Sequence, residues 1–261
     1  MGWQWAAGLA VETDGEGPAV VCVHGLGGSH NTWTAMRQAF VGHRLVCLDL
    51  PGCGHSEGAV PSDWPALVQT LSLVCRALHI SSAHWVGHAM GSLMVLHLAQ
   101  QAPELVDRMV LLGPVHAPTD PLRQALLRRA ERLSQAPVAL AMQDLADQSL
   151  VGNVSARTRH LEPKAWSLLR HDLVRQPPWV YAAYCRLLAQ APAADARQLD
   201  MPNLLITGEE DAVAPVHSVR ALASQMRQAR TQVLSRCGHW APLERPLDCT
   251  RATQEFLRLP G

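Results

Sequence analysis

Short apolar runs alternate with helix-period segments along the first two-fifths of the chain. Ala19–Val23, Arg44–Leu48, Ala83–Val86 and Met109–Leu112 predict buried strands, each followed by Gly, Pro or a polar turn. Between them, Asn31–Phe40, Ser62–His79 and Met90–Gln101 carry helical periodicity, with Ser62 as the expected N-cap of the second. Strands alternating with helices imply a parallel sheet covered on both faces. The rhythm breaks from about Pro114 to about Pro192, where only helical stretches occur: Pro121–Gln135, Val138–Leu150, Pro163–Arg175 and Trp179–Gln190. It returns with Asn203–Thr207, Val216–Arg227, Gln232–Leu234 and Glu244–Leu257. The simplest organisation is a core built from residues 1–113 and 196–261, with residues 114–195 inserted as a helical block between two halves of one sheet.

Composition narrows the class. The 261 residues are enough to bury a sizeable core, and 48% apolar with 17% charged content excludes a disordered chain. Lys+Arg and Asp+Glu are equal at 22 each, which argues against nucleic acid as the main partner, since phosphate binding needs basic surplus. Seven scattered cysteines without CxxC spacing make neither a disulfide framework nor a zinc site. No apolar stretch approaches a membrane span, and no signal segment opens the chain, so a reducing cytoplasmic setting without membrane attachment is expected. A homo-oligomer is left open.

The chemistry concentrates at the ends of the expected strands. Val86-Gly87-His88-Ala89-Met90-Gly91 lies between a strand and a helix and has the form G-x-A-x-G, where a nucleophile elbow has G-x-S-x-G. Small residues are needed there because the chain turns sharply, and the central position, normally a nucleophile, is Ala89. His24-Gly25-Leu26-Gly27-Gly28 follows the strand Ala19–Val23; the N–H of Leu26, with that of Met90, would make an oxyanion hole. Asp211 follows Asn203–Thr207, within Gly208-Glu209-Glu210-Asp211-Ala212-Val213-Ala214-Pro215. His239 follows Gln232–Leu234, within Cys237-Gly238-His239-Trp240-Ala241-Pro242. Elbow, acid, histidine is a known triad order.

Together with the turn Asp49-Leu50-Pro51-Gly52-Cys53-Gly54-His55-Ser56, these motifs resemble the α/β-hydrolase fold family over nearly the whole chain. The resemblance implies an α/β fold with a mostly parallel central sheet, and it makes residues 114–195 a helical cap over the pocket. Within the family, the glycine-rich loop and capped layout look most like enol-lactonases and small carboxylesterases. Cys237-Gly238-His239-Trp240-Ala241 is also similar to hydrolases that cleave carbon–carbon bonds of ring-fission products. A small-molecule ester or lactone is the implied substrate, with no metal and no organic cofactor.

A methyl group cannot attack a carbonyl. Ala89 is therefore read either as the replacement of a serine in an active Ser-His-Asp enzyme or as the natural residue of a ligand-binding protein, and the intact constellation around it favours the first. Met90 after the elbow fits serine rather than aspartate as the lost nucleophile. Asp120 is an outside alternative to Asp211 as the acid. Trp166, Trp179, Tyr184 and Trp240 are candidates to line a pocket for an apolar or aromatic substrate. One arginine of the inserted block is a candidate partner for a substrate carboxylate, although Arg128, Arg129 and Arg132 fit one solvated helix face. Glu244 is read as a charge at a helix N-terminus.

Overall fold

In the computed structural model, residues 2–135 and 138–258 are described. Eight strands form one sheet: β1 (Gly2–Ala6), β2 (Leu9–Asp14), β3 (Ala19–Val23), β4 (Arg44–Leu48), β5 (Ala83–His88), β6 (Val106–Leu112), β7 (Asn203–Gly208) and β8 (Ala229–Leu234). Their order across the sheet is β1-β2-β4-β3-β5-β6-β7-β8. The pairings of β1 with β2 and of β2 with β4 are antiparallel, and all others are parallel.

The near-continuous apolar strands are explained by burial on both faces. In β3, Val21 and Val23 face one core while Val20 and Cys22 face the other; in β4, Val46 and Leu48 divide from Leu45 and Cys47 in the same way. The first core is covered by α1 (Trp64–Ala77) and α2 (Met90–Gln101). A 3-10 helix, His30–Phe40, and the C-terminal helix described below cover the second. All seven cysteines are buried and unbridged, serving as small apolar residues.

Between β6 and β7 the chain forms α3 (Asp120–Gln135), α4 (Val138–Asn153), α5 (Ala156–Leu161), α6 (Pro163–Arg175) and α7 (Pro178–Gln190). After β7 come α8 (Val216–Ala223), then, beyond β8, α9 (Ala241–Glu244) and α10 (Pro246–Leu257). No helix among the described residues is long and apolar enough to cross a membrane.

Several boundaries differ from the sequence reading for identifiable reasons. Asp63, not Ser62, caps α1: its carboxylate accepts from the N–H of Ala66 at 2.8 Å, and Pro65 occupies the first turn where a missing N–H costs nothing. The stretch expected over Glu244–Leu257 is split into α9 and α10 at Pro246, and α8 stops at Ala223 instead of Arg227. The β1–β2 hairpin was not anticipated. Its turn uses Ala7 and Gly8, both at positive φ, and four of the five β1 residues are exposed, so no alternation marks it.

Close backbone packing fixes the β5–α2 turn. A Cβ at Gly91 would lie 2.2 Å from the carbonyl oxygen of Val23, whereas Gly152, in α4, has open space around it. Gly91→Ala is therefore expected to destabilise the fold by about 1–3 kcal/mol. Gly152→Ala is expected to stabilise it by up to about 1 kcal/mol. Urea midpoints of the two variants check the contrast.

Candidate active site

Six parallel strands end at one edge of the sheet, and four of them, β3, β5, β7 and β8, deliver the residues of the site. From β5 the chain turns at Ala89, whose φ of 50° and ψ of −112° lie in a region that non-glycine residues rarely adopt. Its N–H donates to the carbonyl of Leu112 at 3.0 Å, and its carbonyl accepts from the N–H groups of Ser92 and Leu93. The strain is thus held by hydrogen bonds from both sides. The next residue, Met90, opens α2, so its N–H has no acceptor within the helix. From β3 comes Gly25, where a Cβ would meet Ala89 Cβ at 3.0 Å; this close approach lays the Gly25–Leu26 backbone against the elbow.

Asp211 and His239 arrive from β7 and β8. Nδ1–H of His239 donates to Asp211 Oδ2 at 2.9 Å, with Oδ1 at 3.1 Å, and both side chains are buried. Asp211 also accepts from the N–H groups of Val213 and Ala214, each at 2.8 Å, and from the hydroxyl of Thr207 at 3.3 Å. Burial pushes the Asp211 carboxyl up, but the charge and hydrogen bond of His239 and the two backbone donors outweigh it, so the group stays below the ordinary aspartate range. A carboxylate holding the proton on Nδ1 leaves the lone pair on Nε2, which is the form a general base needs. Asp120, by contrast, is exposed at the start of α3.

Neighbouring groups support this pair without joining it. His88 Nε2–H donates to the His239 carbonyl at 2.9 Å. Burial, then the neighbouring His239, drives the His88 pKa down to about 3, so its ring is neutral. His24 accepts the Leu50 N–H on Nε2 at 3.1 Å, fastening the glycine-rich loop to the Asp49 turn. Asp49 takes the N–H of His30 on one oxygen at 2.7 Å and that of His55 on the other at 2.8 Å, with both histidine rings turned to it. These three side chains are close enough to hold a metal ion, but the hydrogen bonds already account for their arrangement as a clamp on two turns.

Glu244 does more than charge a helix start. It is buried, and Oε2 accepts from Ser155 N–H at 2.8 Å, Thr158 hydroxyl at 3.0 Å and Gly238 N–H at 3.1 Å, while Oε1 accepts from Trp240 N–H at 3.1 Å. The N–H of His239 donates to the carbonyl of Asn153 at 2.8 Å. The His239 loop is therefore gripped by the α4–α5 junction of the insertion.

The insertion and the sheet edge enclose a cavity of about 250 Å³ that Ala89, His239, Leu26 and Met90 border. Of the four aromatic candidates only Trp240 lines it. Trp179 is 68% exposed on α7, Trp166 packs against the main core, and Tyr184 is buried with its hydroxyl on the carbonyl of Pro51. Arg129, expected on a solvated face, is half-buried and lines the cavity. The signal was present: Leu126, Arg129, Ala130 and Leu133 share one helical stripe, and the three apolar members are buried. Arg128 and Arg132 point out, as expected.

A family model described as the alpha/beta hydrolase fold matches residues 18–246. A 2-hydroxy-6-oxononadienedioate/2-hydroxy-6-oxononatrienedioate hydrolase of Burkholderia vietnamiensis is 30% identical over 266 residues, spanning 92% of this chain and 87% of that protein. A 2-hydroxy-6-oxo-6-phenylhexa-2,4-dienoate hydrolase of Comamonas testosteroni is 26% identical, spanning 94% and 89%. Among solved structures, an enol-lactonase from Burkholderia xenovorans superposes with a TM-score of 0.89 at 24% identity, covering 99% of this chain and all of that one.

The neutral His88 predicts a pH dependence. Its folded pKa of about 3 lies below the ordinary 6.5, so between these values the unfolded chain takes up a proton that the folded chain does not. Its contribution to stability is complete above about pH 6.5 and declines as pH falls towards about 3. Thermal unfolding between about pH 7 and pH 4 is expected to show a shallower decline in Tm for His88→Gln than for the unaltered chain.

Proposed function

The chain belongs to the alpha/beta hydrolase fold family, and from that premise we propose that its cavity takes a small carboxylic ester or lactone, with Ala89 standing where a serine attacks in the active form. The observation that carries this reading is the Asp211–His239 pair, bonded at 2.9 Å beside a cavity that the strained Ala89 borders. In the serine form, His239 Nε2 removes the hydroxyl proton as the oxygen attacks the carbonyl carbon. The N–H groups of Leu26 and Met90 receive the developing oxyanion. His239 then protonates the leaving oxygen, and the acyl group is released by water that His239 deprotonates. Asp211 holds the imidazole in the required tautomer throughout. The five helices of residues 114–195 act as a cap that excludes bulk water and sets pocket shape, and no cofactor enters the cycle.

Carbon–carbon bond hydrolysis is the second reading, favoured by relatives that match over almost their full length and carry dienoate and dienedioate names. The same residues would serve it after ketonisation of a dienol. The cavity weighs on the choice, because 250 Å³ lies below the roughly 300–1,000 Å³ usual for small-molecule sites. That volume suits a short acyl group better than a phenyl-substituted dienoate. A third reading, from another class, keeps Ala89 as the natural residue of a ligand-binding protein.

Ala89→Ser is expected to hydrolyse short aryl esters or small lactones, and His239→Ala added to it to abolish that activity. Asp211→Asn on the same background is expected to lower kcat by about 10³- to 10⁴-fold. Steady-state rates on an ester and lactone panel, run beside a coloured ring-fission dienoate, separate the first two readings. Tight ligand binding by the unaltered chain, with no turnover by the serine variant, would favour the third.

A further inference from the structure

The cavity wall is apolar apart from a few groups, and the charge on it has one sign. Leu122, Leu126, Leu173 and Leu188 form much of the wall above the elbow, with Ser149, Asn153 and Tyr181 supplying neutral polar groups. No Asp or Glu is among the described residues that border it, and Arg129 is the sole arginine or lysine that does. Arg129 Nη1–H donates to the Tyr181 hydroxyl at 3.3 Å, and no ion pair with any carboxylate is found for it among the described residues. Other arginines of the insertion are differently placed: Arg157 pairs with Glu162, Arg170 pairs with Asp147, and Arg123 is spent on the carbonyls of Ala189 and Ala191. Asp144 borders the adjoining opening, which Arg129 shares with Arg128 and Arg132, yet it is exposed and unpaired with Arg129.

A guanidinium taken part-way out of water, with a phenol as its protein partner, carries a desolvation cost that no carboxylate among the described residues offsets. Burial raises the Tyr181 pKa far above the ordinary tyrosine value, so that hydroxyl stays protonated and brings no counter-charge. What the site lacks is an anion, and a planar fork of N–H donors matches a carboxylate in two-point contact. The tether to Tyr181 on α7 restricts the fork to one orientation, which lowers the entropy lost when that contact forms.

We propose that Arg129 is the specificity-determining residue of this cavity and binds a carboxylate carried by the substrate, remote from the carbonyl that lies against Ala89. This rests on the hydrolase reading above for the position of the reacting carbonyl. The substrate class is then a small monoanionic acyl compound, one carboxylate and one scissile carbonyl separated by a short apolar spacer that the leucine wall covers. The carboxylate end lies at α3 and the reacting end at the sheet edge, so the two recognition elements come from the insertion and the core respectively.

The matched pair 4-nitrophenyl hemisuccinate and 4-nitrophenyl butyrate tests this, since the two differ chiefly in the terminal carboxylate. In Ala89→Ser, kcat/KM is expected to favour the hemisuccinate, and Arg129→Gln added to it is expected to lower the hemisuccinate-to-butyrate ratio by about 10- to 100-fold, the value of a charge-assisted contact. Arg129→Lys should retain part of the preference, because it keeps the charge and loses the fork. Calorimetric binding of the same two esters to the unaltered chain, which lacks a nucleophile, supplies a readout independent of turnover. There the hemisuccinate is expected to bind more tightly than the butyrate, and Arg129→Gln to remove the difference. Equal treatment of the two esters by the unaltered chain, or an unchanged ratio in folded Arg129→Gln and Arg129→Lys, overturns the proposal. Selective hemisuccinate binding without hydrolysis by Ala89→Ser would instead keep the carboxylate site and overturn the hydrolase reading.

Discussion

The turn between β5 and α2 is the constraint on which the rest of the site depends. To bring a side chain to the top of the sheet, the backbone at Ala89 is held at a positive φ, and helix and strand approach so closely that neighbours cannot carry a Cβ. At Gly87 a Cβ would lie 2.7 Å from Ser92 Cα, and at Gly91 it would strike the β3 backbone. The approach of Gly25 to Ala89 extends the same requirement to the glycine-rich loop. Once that packing is satisfied, position 89 faces the cavity whatever its side chain. The turn costs conformational energy whether or not a nucleophile occupies it, so its geometry is separable from the group it presents.

Electrostatics divides the surrounding groups into two kinds. Asp211 is charged although buried, because two backbone donors and His239 together outweigh desolvation. At His88 and His24 burial prevails over the carbonyls and carboxylates that oppose it, and both ring pKa values are pushed down. Asp211 thus sets a negative charge behind His239, and among the described residues that border the cavity Arg129 is the sole arginine or lysine.

Much of this was legible because the informative residues are local. β3 and β4 have the bounds expected from their apolar runs, and Ala89, Asp211 and His239 stand where strand-end motifs place them. Signals failed where they were too short or too exposed. The β1–β2 hairpin presents Trp3 and Trp5 to solvent, so alternation gave no inward face to read. The six-residue α5, rich in Arg and His, is too short to display a period and is held by Ser155 and Glu244 from outside its own sequence. Which aromatics line the cavity depends on helix rotation: Trp240 does, Trp179 does not, and composition alone carried no information on that. Arg129 is the instructive miss, for its charge suggested solvent while its place in the Leu126–Leu133 stripe indicated the interior.

The grip of Glu244 has a consequence for how this protein can diversify. Helical insertions of this kind look like interchangeable modules, joined to the sheet by two crossings of the chain. Here the α4–α5 junction and the His239 loop share one buried carboxylate and a direct backbone bond, so half of the fastening belongs to each partner. A foreign insertion grafted at the same two crossings would have to present a main-chain N–H and a hydroxyl where Ser155 and Thr158 do, or leave Glu244 Oε2 short of two donors. An exchange that keeps the His239 loop in place therefore moves residues 153–158 and 237–244 together. These two loops form one structural unit, which straddles the boundary that chain topology would draw.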